Sequence, residues 1–187
     1  MVLENNYYLI TAEVETKPLL SRFDIVHHLS NKDTDDIYMA RIFNIRYCNG
    51  SSASIAFVDF ICDSYEPFAV LEEHCLTSIF YSKIVQFDLQ SGQVTKIIEC
   101  DNWGGLFQIH RIQDGYIIWG ECDIFRYDLD LNRVWRFMGR DMLVSLKSSQ
   151  HFWIDNDTIH CRDFEGWHYI LNLDGKLLDN FKEFDDA

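Results

Sequence analysis

The segment Ile84-Val85-Gln86-Phe87-Asp88-Leu89 returns 40 residues later as Ile124-Phe125-Arg126-Tyr127-Asp128-Leu129. No other feature restricts the fold of this chain as strongly. In the first copy Ser78 to Tyr81 leads into the repeated segment, which is followed by a turn signal at Gln90-Ser91-Gly92 and an outgoing strand from Val94 to Glu99. In the second, Gly115 to Trp119 leads in, Asp130-Leu131-Asn132 turns, and Val134 to Met138 leads out. A weaker third copy runs from Phe152-Trp153 through Trp167 to Leu173, Asp174-Gly175 and Lys176-Leu177-Leu178, its turn 44 residues after the second. A period of about 40 residues is that of an antiparallel β-meander, a unit that cannot bury its own apolar face and must stack on neighbours. Asp88, Asp128 and Asn172 precede the three turns, where a short oxygen-bearing side chain accepts hydrogen bonds from turn amides. These residues are expected to shape turns, not to catalyse.

The N-terminal third has a different plan. Tyr7 to Glu13 reads as a first strand. After Pro18, apolar residues at 19, 20, 23, 26 and 29 have helical spacing and predict one short helix, and Asp33-Thr34-Asp35-Asp36 reads as a polar loop. Ile37 to Tyr47 and Ser54 to Cys62 flank Cys48-Asn49-Gly50-Ser51-Ser52 and predict a hairpin, because Asn and Gly tolerate the positive φ of tight turns. The second arm, Ile55 to Ile61, has almost no polar alternation, which predicts a central strand covered on both faces.

The repeated pattern resembles the blades of β-propeller proteins, in which a strand ending in an aromatic-Asp-Leu-like run precedes a short turn and the outermost strand. The resemblance covers residues 76 to 179, without a Trp-Asp dipeptide or a Gly-His signature. It implies a mainly all-β fold of antiparallel, blade-like meanders. Three copies are few for a closed ring of four to eight blades, so the expectation is an open twisted sheet, a sandwich or an incomplete propeller. At 187 residues the chain is expected to form one domain, with strand, helix and hairpin over 1–66 and blade-like repeats over 67–187.

Composition narrows the function. Sixteen Lys plus Arg against thirty Asp plus Glu leave a net charge of −14, which repels nucleic-acid phosphates and anionic membrane surfaces and attracts basic proteins. No apolar run reaches the ~18 residues of a membrane span. The start, Met1 to Tyr8, has no basic region followed by an apolar run, so a cytoplasmic protein with reduced thiols is expected. Six scattered cysteines lack zinc-site spacing.

Catalytic and cofactor motifs are missing from the sequence. Asp128-Leu129-Asp130-Leu131-Asn132 alternates oxygen side chains, but Arg133 and Gly139 stand where an EF-hand loop needs Gly and Glu. Neither a phosphate-binding glycine loop nor a Gly-x-Ser-x-Gly elbow appears. Adjacent side chains on a strand face opposite ways, so His160 and Cys161 are not expected to share a metal, and His27-His28 diverge on the predicted helix. No catalytic residue, cofactor or metal is assigned.

The remaining signal is surface chemistry. Trp103, in the loop Asn102-Trp103-Gly104-Gly105, and Trp135 and Trp167 with the acids Asp155, Asp157, Asp163 and Glu165 make an aromatic, carboxylate-rimmed set that suits a basic protein partner. In size, charge and expected compartment the chain resembles bacterial immunity proteins, which neutralise a cognate toxin by covering its active site, often a basic nuclease surface. That resemblance involves no residue motif and transfers no contact residue. The leading expectation is a non-enzymatic acidic binding module of this kind. The alternatives are a blade-repeat scaffold or ligand sensor, and a hydrolase whose acids converge only in the fold.

Overall fold

The computed structural model describes residues 1–30, 39–59 and 65–183. Seventeen strands and one short 3-10 turn make up its described elements. They form two compact units, 1–100 and 101–187, each holding two sheets.

In the first unit β1 (Val2–Glu4), β2 (Tyr8–Thr16), β3 (Ile25–His28), β4 (Met39–Tyr47) and β5 (Ser52–Asp59) form a five-stranded sheet of order β1-β2-β4-β5-β3. The β4–β5 hairpin turns where Asn and Gly predicted it. Asn49 accepts hydrogen bonds from the Ser51 amide and hydroxyl, and Gly50 has φ +85°. Residues 55–59 of β5 are buried in succession, as a strand covered on both faces requires. The helix predicted after Pro18 shrinks to one 3-10 turn, Leu20–Arg22. Its would-be continuation is β3, which pairs in parallel with β5 from Ile25↔Ile55 to His28↔Val58. Asp24 fixes the entry, since the Ser54 amide and hydroxyl both donate to its carboxylate. Leu20, Phe23 and Val26 still pack against Ala40, Ile42, Ala56 and Val58. The apolar spacing is therefore spent on the core, while strand pairing outweighs a weak local helix preference. The predicted loop over 33–36 and the ends of the hairpin arms at 37–38 and 60–62 lie outside the described residues.

The other three sheets are the repeat. They are β6 (Ala69–Glu72), β7 (Cys75–Ile79), β8 (Lys83–Asp88) and β9 (Gln93–Glu99); β10 (Leu106–Ile112), β11 (Gly115–Gly120), β12 (Asp123–Asp128) and β13 (Arg133–Met138); and β14 (Phe152–Asp155), β15 (Thr158–Arg162), β16 (Trp167–Asn172) and β17 (Leu177–Lys182). Each is a four-stranded antiparallel meander with strands in sequence order, and none closes on itself. The fold is nearly all β, with blade-like repeats. In the third copy Phe152-Trp153 belongs to the first strand of its meander, not to the strand leading into the repeated segment. That place is taken by Thr158–Arg162.

The repeat extends to backbone irregularities. The pairing of third and fourth strands slips at Gln86/Phe87, Arg126/Tyr127 and Ile170/Leu171, the same place in each meander. The turn residues behave as expected. Asp88 accepts from the Gln90 and Ser91 amides, Asp128 from the Asn132 amide, and Asn172 from the Asp174 and Lys176 amides. Hydrogen bonds from the Ser91 amide and hydroxyl hold the Asp88 carboxyl below its ordinary pKa. The longer connection over 139–151 precedes the copy whose turn lags.

Each unit has its own core. In the first, Phe57 meets the rings of Phe43, Phe80 and Phe87 at 5.6–5.9 Å. Buried Arg41 lies over the Phe68 and Phe80 rings and donates to the Ile79 carbonyl, joining the five-stranded sheet to β6–β9. In the second, Trp119 of β11 stacks on Phe152 of β14 at 5.5 Å and 6°. Ile117, Ile124, Leu143, Ile159, Cys161, Tyr169 and Leu171 complete this cluster. Burial pushes the Cys161 thiol pKa upward. The thiols of Cys48, Cys75, Cys122 and Cys161 are free.

Candidate functional site

The sheets of the second unit have two different ends, and the sequence-predicted residues divide between them. At one end lie the connection over 100–105, the β11–β12 turn, the connection over 139–151 and the β15–β16 turn. At the other lie the hairpin turns β10–β11, β12–β13, β14–β15 and β16–β17. Trp103, Asp163, Glu165 and Trp167 belong to the first end, Trp135, Asp155 and Asp157 to the second.

The first end is built around two buried carboxylates. Asp123, at the start of β12, accepts a hydrogen bond from the Trp103 amide at 2.9 Å and another from Arg136 Nε at 2.7 Å. The bond to Asp123 is the chief cause that raises the Arg136 guanidinium pKa above its ordinary value. Asp163 accepts from the Trp167 amide at 2.8 Å and the Tyr169 hydroxyl at 2.7 Å. Burial, then the bond to Asp163, pushes the Tyr169 pKa up. Both acids are spent on holding loops, since a buried carboxylate is tolerated only where donors satisfy it. They stand 40 residues apart, the period of the repeat.

This scaffolding fixes Trp103 in an exposed position. Gly105 donates to the Glu121 carboxylate, Glu121 N–H donates back to the Gly105 carbonyl at 2.8 Å, and Asn102 Nδ2 reaches the Gly104 carbonyl. Gly104 adopts φ +82°, and a Cβ there would collide with the Glu121 side chain, so the loop requires glycine. Above it the Trp103 side chain is 69% exposed. Trp103, Cys122, Met138, Gly139, Arg140, Asp141 and Met142 line a shallow groove of about 290 Å³. Met138 is also exposed, and Phe164, whose amide bonds the Met142 carbonyl at 2.8 Å, exposes its ring beside them. Arg140 lies over the Trp167 ring at 3.9 Å. Asp141 is among the lining residues, and Glu121 and Glu165 are the chain neighbours of Cys122 and Phe164.

The second end uses the same residue types internally. Trp135 Nε1 donates to the Leu173 carbonyl at 2.9 Å, and its ring lies so close to Gly175 that a Cβ there would come within 2.6 Å. Arg126 donates to the same carbonyl at 2.9 Å and pairs with Asp114 and Asp174. These contacts tie the β10–β13 meander to the β16–β17 turn. They border a polar cleft of about 1010 Å³ that includes Asp157 and Asn156 at its edge. Asp155 accepts from Asn156 Nδ2 within the β14–β15 turn.

Sequence reasoning passed over Asp123, Met138, Arg140, Met142 and Phe164. The 40-residue interval between Asp123 and Asp163 was a usable signal, obscured by thirty acids. It also passed over His168 as a partner of His160. Those rings meet across β15 and β16 with His160 Nδ1 and His168 Nε2 3.1 Å apart. As expected, Cys161 faces the opposite way, into the core. His27 and His28 lie on a strand, and His27 stacks on Phe57 at 5.1 Å. Among the described residues no three His, Cys, Asp or Glu side chains converge as a metal cluster.

No protein-family model matches the sequence, and no curated protein matches it. Solved structures do share the fold. BamB from Moraxella catarrhalis, a β-propeller-type protein, aligns with a TM-score of 0.51 at 12% identity over 81% of this chain and 48% of that one. The computationally designed protein Ika8 aligns with a TM-score of 0.56 at 7% identity over 98% of this chain and 61% of its own. The chain thus spans about half to three fifths of the structures it resembles. At such identities the likeness is one of fold.

Proposed function

We propose that this chain is a blade-repeat protein-binding module that engages a basic protein through the Trp103 end of its second unit. The observation that carries the reading is a largely exposed tryptophan on a loop fixed by Asp123, Glu121 and Asn102. An aromatic anchor held in place before association loses little conformational freedom on binding, and Trp, Met and Arg are enriched where interfaces derive their affinity. Met138, Met142 and Arg140 supply that company. The net charge of −14 supports a basic partner, because an acidic rim speeds the encounter with one. Blade-like architecture supports a scaffold role on fold grounds. The narrower expectation of an immunity-type toxin inhibitor has no support among the similar structures, so the proposal stops at a basic protein.

The test is a titration with a partner first captured on the full chain, then identified and purified. Trp103→Ala is expected to weaken binding by about 2 kcal/mol or more, roughly thirty-fold, as for a hot-spot residue. Raising the salt is expected to slow association while changing dissociation little. Salt-independent binding to a neutral partner, or full affinity in Trp103→Ala, contradicts the proposal.

A further inference from the structure

The face of the β14–β17 sheet that points away from the core cluster carries an arrangement unrelated to the Trp103 surface. Register places Trp153 opposite His160, Arg162 opposite His168, and His168 opposite Phe181. His160 and His168 are thus diagonal neighbours on one face, a distance that long side chains bridge. Trp153 stacks on His160 at 4.7 Å and 4°, and Phe181 lies 5.0 Å from His168, so aromatic side chains flank both rings.

The hydrogen-bond pattern selects tautomers. His168 Nδ1 is buried without a hydrogen bond, and Glu183 Oε2 lies 3.6 Å from it. An acceptor nitrogen there would face a carboxylate, so the proton belongs on Nδ1 and the lone pair on Nε2, toward His160. Glu183 is fixed in turn by Arg162, whose Nε and Nη2 both donate to it. A carboxylate behind the distal N–H of an imidazole is the arrangement that orients and strengthens histidine as a metal ligand. The charged groups facing the pair are Asp155, Asp179 and Glu183 against Arg162, which is neutralised by Glu183 and lies over Trp153 at 4.7 Å.

We infer that His160 Nδ1 and His168 Nε2 form a two-histidine site for a borderline divalent metal ion of the Zn²⁺ class. Two ligand bonds of about 2.0–2.1 Å closing on the 3.1 Å nitrogen separation subtend about 98° at the metal, between octahedral and tetrahedral angles. In the metal-free chain the His168 lone pair accepts the His160 Nδ1–H, so binding requires that proton to move to Nε2 and both rings to turn until their lone pairs meet at the ion. With two protein ligands the remaining positions go to water, which enters from the side of half-buried His160 because His168 is buried, and the site is exchangeable instead of a structural zinc centre.

The probe is Zn²⁺ alone, titrated into the full reduced chain with ¹⁵N-labelled histidine. The expected result is one saturable event that shifts His160 Nδ1 and His168 Nε2 together. His160→Ala is expected to weaken this event at least ten-fold, and Glu183→Gln, which leaves both ligands in place, by about ten-fold. Ring nitrogens of His160 and His168 that do not move on Zn²⁺ addition overturn the site, and this readout needs no substitution. Undiminished affinity in a folded His160→Ala chain overturns it equally.

Discussion

Trp103 and Trp135 are 32 residues apart in the same unit and have opposite fates. Trp135 finds the Leu173 carbonyl for its indole N–H and the bare Cα of Gly175 for its ring, and becomes cement between two meanders. Trp103 is held only by its backbone, through Asp123, so its side chain remains outside. An exposed tryptophan and one that packs meanders therefore differ in what holds them: main chain for the first, side chain for the second. Arginine repeats the contrast, since Arg126 is fastened to Leu173, Asp114 and Asp174, while Arg140 lies open over Trp167.

The harshest way to break this contrast is to remove the anchor of the Trp103 end. Asp123→Ala leaves the Arg136 guanidinium without its buried partner and is expected to cost about 3–5 kcal/mol in chemical denaturation. Trp135→Ala comes next, at about 2–4 kcal/mol, because it opens a gap against Gly175 and orphans the Leu173 carbonyl from one donor. An equal stability loss in Trp103→Ala would erase the distinction between the two ends. That substitution is instead expected to change stability by under about 0.5 kcal/mol.

Acidification sharpens the comparison further. Burial lowers the His110 pKa from 6.5 to about 4. Its folded pKa lies below its unfolded one, so the unfolded chain takes up the proton first, and stability present above pH 6.5 is lost as pH falls toward 4. Thermal midpoints should decline through that window in the wild type and equally in Trp103→Ala, and His110→Gln should flatten the slope.

What could be read in the sequence was local or periodic. Asp88, Asp128 and Asn172 announce their turns because the bonds they form lie within a few residues. The hairpin at Asn49-Gly50 and the doubly covered strand at 55–59 are local signals too. The segment at 25–28 misled because helical spacing of apolar residues also suits a strand whose neighbours come from residues 55–58. The His160–His168 pair requires the β15–β16 register, which no spacing in the chain encodes. The division of predicted site residues between two ends of the sheets is likewise set by which turn each one borders.

The central claim is that the Trp103 end meets a partner and the Trp135 end does not. A photoreactive amino acid placed at 103 or, in a second chain, at exposed Leu129 of the opposite end tests it most directly. Irradiation with the purified partner should yield the cross-linked complex from position 103 and little from 129. Cross-linking that is equal at both positions, or stronger at 129, contradicts the account.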